Sequence, residues 1–159
     1  YSDIIFGDQN EWEVASGVPH IPFEALDENY VIDREAYLAY FRKMHHLFPK
    51  CKKMVMAVRN QIASSHHTLS GLLYDAVEDQ LYTTRIYDIQ PVVDPMGVGD
   101  AFIAAYIHAH QKWGDENQYC LDFSLSASAI KNTVPGDQNL VSEEEIINNM
   151  TSSGGRIQR

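Results

Sequence analysis

The run Pro91-Val92-Val93-Asp94-Pro95-Met96-Gly97-Val98-Gly99-Asp100-Ala101-Phe102 limits this chain more than any other stretch. A short β-branched segment meets a glycine turn, which opens directly into an apolar helix expected from Ala101 to about Trp113. Two glycines one residue apart let the backbone fold tightly and turn its N–H groups outward. The helix that follows directs the positive end of its dipole at that turn. Such a place holds an anion, most often a phosphate. The helix is apolar almost all round (Phe102, Ile103, Ala104, Ala105, Ile107, Ala109), so it is expected to be buried on several sides.

Asp100 sits on the rim of the turn, and two uses are open to it. It could cap the helix, a common role for Asp. It could also act as a base, taking a proton from a hydroxyl about to attack the bound phosphate. It is not itself a plausible anion ligand, because its carboxylate would repel one.

The twelve residues resemble the C-terminal signature of the ribokinase-like (pfkB-type) carbohydrate kinases, Asp-Thr-x-Gly-Ala-Gly-Asp-x-Phe. Asp94, Gly97, Gly99, Asp100 and Phe102 match in register. Pro95 stands in place of the usual Thr and Val98 in place of the middle Ala, and neither change removes the base or an N–H of the turn. The resemblance implies a three-layer α/β/α sandwich, with helices on both faces of a mostly parallel sheet and an antiparallel hairpin at one edge. It implies ATP and Mg²⁺ as cofactors, Asp100 as base, and the N–H groups of Gly97, Val98 and Gly99 as the anion hole. It maps to the family's C-terminal half, so the sequence is expected to be the C-terminal part of a longer enzyme. Residues 1–150 would be the catalytic part and 151–159 a tail.

Further site residues follow from the same resemblance. Asn10 and Glu13 match the family's Asn-x-x-Glu motif and would share a helical face. The Glu of that motif positions magnesium through water, which suits an ion that keeps several of its waters. The family's Thr-x-Gly-x-x-Gly phosphate loop is replaced by Ala57-Val58-Arg59-Asn60-Gln61-Ile62, without glycines. Arg59 is expected between two strands, where a guanidinium could supply the phosphate contact instead. Ala129, Asn132, Val134 and Gly136 fall where the family builds one wall of the adenine site. Asp94 and the loop after it would bind a monovalent cation, K⁺, through carbonyls, as in several members.

The rest of the chain reads as α/β. Strands are expected at Asp3–Phe6, Lys53–Val58, Thr68–Tyr74 and Gln80–Tyr87, the last two forming a hairpin across Asp75–Asp79. Ser16–Asn29 is a loop with a helical turn at Phe23–Leu26. Asp33 caps a helix over Arg34–Phe48, Glu116–Asn132 is a helix of small and apolar residues, and Ser142 caps a last helix with three glutamates in its first turn. Thr151 to Gly155 reads as a linker.

The formal net charge of −10, from 22 acidic against 12 basic residues, argues against nucleic acid or an anionic membrane as partner. Cys51 and Cys120 stand apart in apolar settings and read as reduced thiols of a cytoplasmic protein. His45-His46 and His66-His67 lack further ligands at metal spacing. No Gly-x-x-x-x-Gly-Lys-Ser/Thr, Gly-x-Gly-x-x-Gly or Gly-x-Ser-x-Gly is present. Phosphoryl transfer to a hydroxyl stays consistent with the residues present, and the resemblance implies ATP as its donor. Ile86-Tyr87-Asp88 through the glycine turn, with the late Pro135-Gly136-Asp137-Gln138-Asn139, is most similar to 2-keto-3-deoxygluconate kinases. Fructose, ribose and nucleoside kinases share the core motif. A non-catalytic nucleotide-binding module with the same fold is the other reading. As half of such a domain the chain is expected to expose a sheet edge that favours homodimerisation.

Overall fold

The structure, a computed structural model, describes residues 2–21 and 31–152. The expected turn at Phe23–Leu26 and the 153–159 tail lie outside the described residues. In chain order the elements are β1 (Ile4–Gly7), α1 (Gln9–Ser16), α2 (Arg34–Leu47), β2 (Lys53–Ala63), β3 (His66–Asp75), β4 (Gln80–Thr83), β5 (Tyr87–Ile89), α3 (Val98–Trp113), α4 (Asn117–Lys131) and α5 (Glu143–Thr151). Thr151, expected to open the linker, is the last residue of α5.

The sheet runs β1-β2-β3-β4, with β5 also paired to β3. Helices cover both faces, because β2 and β3 alternate strictly. Met54, Met56, Val58, Leu72 and Tyr74 face α1 and α2, around Phe41 and Trp12. Val55, Leu69 and Leu73 face α3, α4 and α5, around Tyr106, Leu121 and Phe123. This is the expected three-layer α/β arrangement. The proportion of parallel pairing is corrected: β1–β2 is parallel, while β2–β3, β3–β4 and β3–β5 are antiparallel, so the sheet is mixed.

Local chemistry explains the differences. β2 does not stop at Val58. Its in–out alternation continues through Asn60, buried, and Gln61, exposed, to a two-residue turn at Ser64-Ser65. Such a short connection requires antiparallel partners. The segment expected to be an inter-strand loop is therefore a hairpin, and Arg59 lies within a strand opposite Leu69. The expected strand Gln80–Tyr87 is split in two. Thr84 breaks it: its Oγ1 accepts from the Gly71 N–H at 2.8 Å and donates to the Arg85 carbonyl at 2.7 Å. β4 then pairs with Leu72–Asp75 and β5 with His67–Leu69, in series along one edge of β3.

Both cysteines are free and buried, and burial pushes both thiols up, away from reactivity. No helix among the described residues is long and apolar enough to cross a membrane.

Candidate active site

Helix α3 starts earlier than its apolar run suggests, at Val98 rather than Ala101. Gly97 is its N-cap, with φ +73°, and no side chain caps it. By contrast Asp8, Asp33 and Ser142 each cap their helix through a side-chain oxygen. Asp100 is therefore the third residue of α3 and not its cap. The first N–H groups of a helix have no intrahelical acceptor, so those of Val98, Gly99 and Asp100 are left for whatever occupies the space in front of them.

That space is a cleft of 340 Å³. One wall is the turn and first helical residues, Met96 to Asp100. The other is the end of β1 and the start of α1, with Gly7, Asp8 and Glu11; Ala57 of β2 lies at the floor. Asp100 and Gly99 are exposed in it. Apart from its chain neighbours and the backbone of its own helix, no heavy atom lies within 4 Å of where a Cβ on Gly99 would stand. The fold therefore has no steric need of glycine there, although glycine costs a helix about 1 kcal/mol relative to alanine. The backbone at Gly99 is thus open to approach from the cleft.

The back of the turn is tied to the 132–137 loop. Asp94 accepts from the Met96 N–H at 2.9 Å and the Gly136 N–H at 2.8 Å. These two donors, with a lesser contribution from Lys131, hold its carboxyl below the usual range. The Asn132 carbonyl accepts from the N–H groups of Val93 at 2.8 Å and Asp94 at 3.2 Å.

The remaining expected site residues lie as follows. Asn10 and Glu13 are on α1 but do not line the cleft. They stand two positions on from Asp8 and Glu11, about 200° round the helix. Glu13 is instead bonded to the His20 ring and N–H, which hold its carboxyl below the usual range. Besides Asp100, the carboxylates at the cleft are Asp8 and Glu11, joined in a capping box. The signal for them was in the sequence: Asp-x-x-Glu directly after an apolar strand is a helix start. Arg59 is exposed, two residues beyond Ala57 on the same side of β2 and outside the cleft lining. Ala129 and Asn132 are buried, with Asn132 Nδ2 donating to the Ser128 carbonyl at 2.9 Å. Val134 is buried and Gly136 exposed. A second cleft, of 270 Å³, opens on the other flank of α3 between Ala101, Ala104, Ala127, Asn139 and Val141.

Mg²⁺ is testable against this donor set. Among the described residues no three His, Cys, Asp or Glu converge as a metal cage. Asp8, Glu11 and Asp100 line one cleft, which fits an ion that keeps its waters and is held chiefly by phosphates.

The architecture has solved counterparts. The 2-dehydro-3-deoxygluconokinase of Thermotoga maritima superposes with a TM-score of 0.79 at 26% identity, over 94% of this chain and 41% of that one. The fold is that of the ribokinase-like, PfkB-type carbohydrate kinases. A PfkB family carbohydrate kinase from Listeria grayi matches at 0.73 and 25% identity, over 94% of this chain and 41% of its own. An Arabidopsis thaliana ribokinase, solved with ribose and ATP, shares the fold at 0.62 and 19% identity, over 95% and 41%. This chain thus spans about two fifths of the kinases it matches, in their C-terminal portion. No family model matches it, nor does any curated protein sequence.

Proposed function

We propose that the chain carries the nucleotide-binding and catalytic part of a sugar kinase, which transfers the γ-phosphoryl of ATP to a hydroxyl of a sugar or sugar acid. The observation that carries this is the uncapped start of α3 with a carboxylate as its third residue. In this reading the N–H groups of Gly97, Val98 and Gly99 donate to the transferring phosphoryl, and the helix dipole stabilises its charge. Asp100 accepts the proton of the acceptor hydroxyl as its oxygen bonds to phosphorus and the bond to the β-phosphate oxygen breaks. Asp8 and Glu11, rather than Asn10 and Glu13, hold the waters of Mg²⁺, which supplies charge neutralisation at the phosphates. The adenine occupies the 270 Å³ cleft beside Ala101 and Ala104, one turn along the same helix.

2-Keto-3-deoxygluconate leads as acceptor, on the likeness to the Thermotoga enzyme. A second reading, a nucleotide-binding module without turnover, rests on the β2–β3 hairpin, which offers no glycine loop to the phosphates. The deciding test is ATP-dependent phosphorylation of 2-keto-3-deoxygluconate by the full-length protein, with fructose and ribose alongside. Preference for the sugar acid supports the whole reading. Turnover of another sugar keeps the mechanism and replaces the acceptor. Mg-ATP binding without turnover of any acceptor favours the second reading.

A further inference from the structure

Lys131, the last residue of α4, has no exposed surface. A buried ammonium ordinarily pairs with a carboxylate, because an uncompensated charge is costly away from water. Here it donates to two backbone carbonyls, that of Val134 at 3.0 Å and that of Asp94 at 3.5 Å. Among the described residues it forms no ion pair, although its charge is felt by the Asp94 carboxyl. The two carbonyls come from the two loops that meet behind the glycine turn. The same loops are joined by Asp94 to the Gly136 N–H, and by the Asn132 carbonyl to Val93 and Asp94.

A pair of carbonyls converging beside an aspartate is a setting for a monovalent cation, as the sequence led us to expect at Asp94. The structure disagrees in one respect: the space at those oxygens is filled by a side-chain nitrogen belonging to the protein. We propose that Lys131 is a built-in monovalent cation that takes the place of free K⁺ and locks the 91–97 segment to the 132–137 loop. It is a positioning residue, acting on the anion turn from behind and touching no substrate. A tethered ammonium has the charge of K⁺ and directs its N–H bonds to the carbonyl dipoles that would otherwise ligate the ion. Its position at the C-terminus of α4 also places a positive charge at the negative end of that helix dipole.

The proposal is independent of any kinase activity, so its test is thermal unfolding of the full-length protein without nucleotide. Tm is measured in K⁺, Na⁺, NH₄⁺ and tetramethylammonium chloride at constant ionic strength, for the wild type and for Lys131→Ala and Lys131→Met. The wild type should be indifferent to the cation. Lys131→Ala should lose roughly 5–10 °C in tetramethylammonium and recover a large part of it in K⁺ or NH₄⁺. Lys131→Met, which fills the space with an apolar chain, should lose stability without recovery. Selective stabilisation of the wild type by K⁺ would overturn the proposal, as would a Lys131→Ala variant that is destabilised equally in every cation. If neither variant folds in tetramethylammonium, folding of Lys131→Ala in K⁺ or NH₄⁺ upholds the proposal, and failure in every cation overturns it. None of these outcomes depends on ATP, so a chain that proves inactive as a kinase leaves the test intact.

Discussion

Gly97 faces the backbone carbonyl of Asp137 so closely that a Cβ on Gly97 would stand 2.3 Å from its oxygen. Gly99, two residues on, faces open space. The two glycines of one motif thus differ: the fold requires the first and has no steric need of the second. Alanine at each should separate them. Gly97→Ala meets both the contact and the positive φ and should destabilise by more than about 1 kcal/mol. Gly99→Ala should stabilise by about 0.5–1 kcal/mol while weakening phosphate binding at the turn. Urea unfolding and nucleotide titration of both variants check this; equal losses of stability would contradict it.

Asp100→Asn keeps the shape of the first turn of α3 and removes the proton acceptor. In the full-length protein, kcat should fall by about 10²–10⁴ while Mg-ATP affinity is retained. Turnover close to the wild type would remove Asp100 from the role of base.

Asp79 gives the chain an acid-sensitive link. Bonds from Arg42 (Nε at 2.8 Å, Nη2 at 2.6 Å) and from the Tyr74 hydroxyl (2.8 Å) hold its carboxyl down from 3.8 to about 2. A depressed carboxyl favours the native state above its unfolded pKa, and the contribution fades as pH falls through the folded value. The acid limb of stability should therefore include a step between pH 3.8 and about 2. Asp79→Asn should remove that step and lower stability near neutral pH by the same amount, which is small because the pair is half exposed. Unfolding curves across this range provide the check.

Asp75 holds the β3–β4 turn. Its Oδ1 accepts from the N–H groups of Val77 at 2.9 Å and Glu78 at 3.2 Å, and its Oδ2 accepts from Asn117 Nδ2 at 2.8 Å. Both Asp75 and Asn117 are buried. Asp75→Ala leaves the buried amide without its acceptor and should cost about 1–3 kcal/mol. Adding Asn117→Leu, which removes the stranded donor, should recover part of the loss; an additive double variant would show that the two side chains are uncoupled.

Much of this was legible in the chain because its signals were local. The Asp33 and Ser142 caps, the α4 boundaries and the position of the glycine turn all follow from residues within a few places of one another. What escaped depended on partners distant in sequence. The extent of β2 is set by pairing with β3, which carries polar Asn60 and Gln61 into a strand that their own propensities disfavour. The break at Thr84 requires Gly71 opposite it. Which acidic residues of the α1 region line the cleft depends on where α1 begins, since a shift of two residues turns a helix to its other side. Nothing next to Lys131 in sequence marks a lysine at a helix end as buried.

The β2–β3 hairpin closes through a two-residue turn, whereas β1 reaches β2 only after the whole of α1, α2 and the chain between them. Contacts close in sequence form at small entropic cost and those across long loops at larger cost. In folding, β2, β3 and the helices docked on them are therefore expected to assemble first, and β1 to join last. The cleft spans this divide, with Gly99 and Asp100 on the early body and Asp8 and Glu11 on the late edge. Amide protons of β1 should exchange with solvent well before those of β3, so the two walls of the cleft differ in how often they come apart.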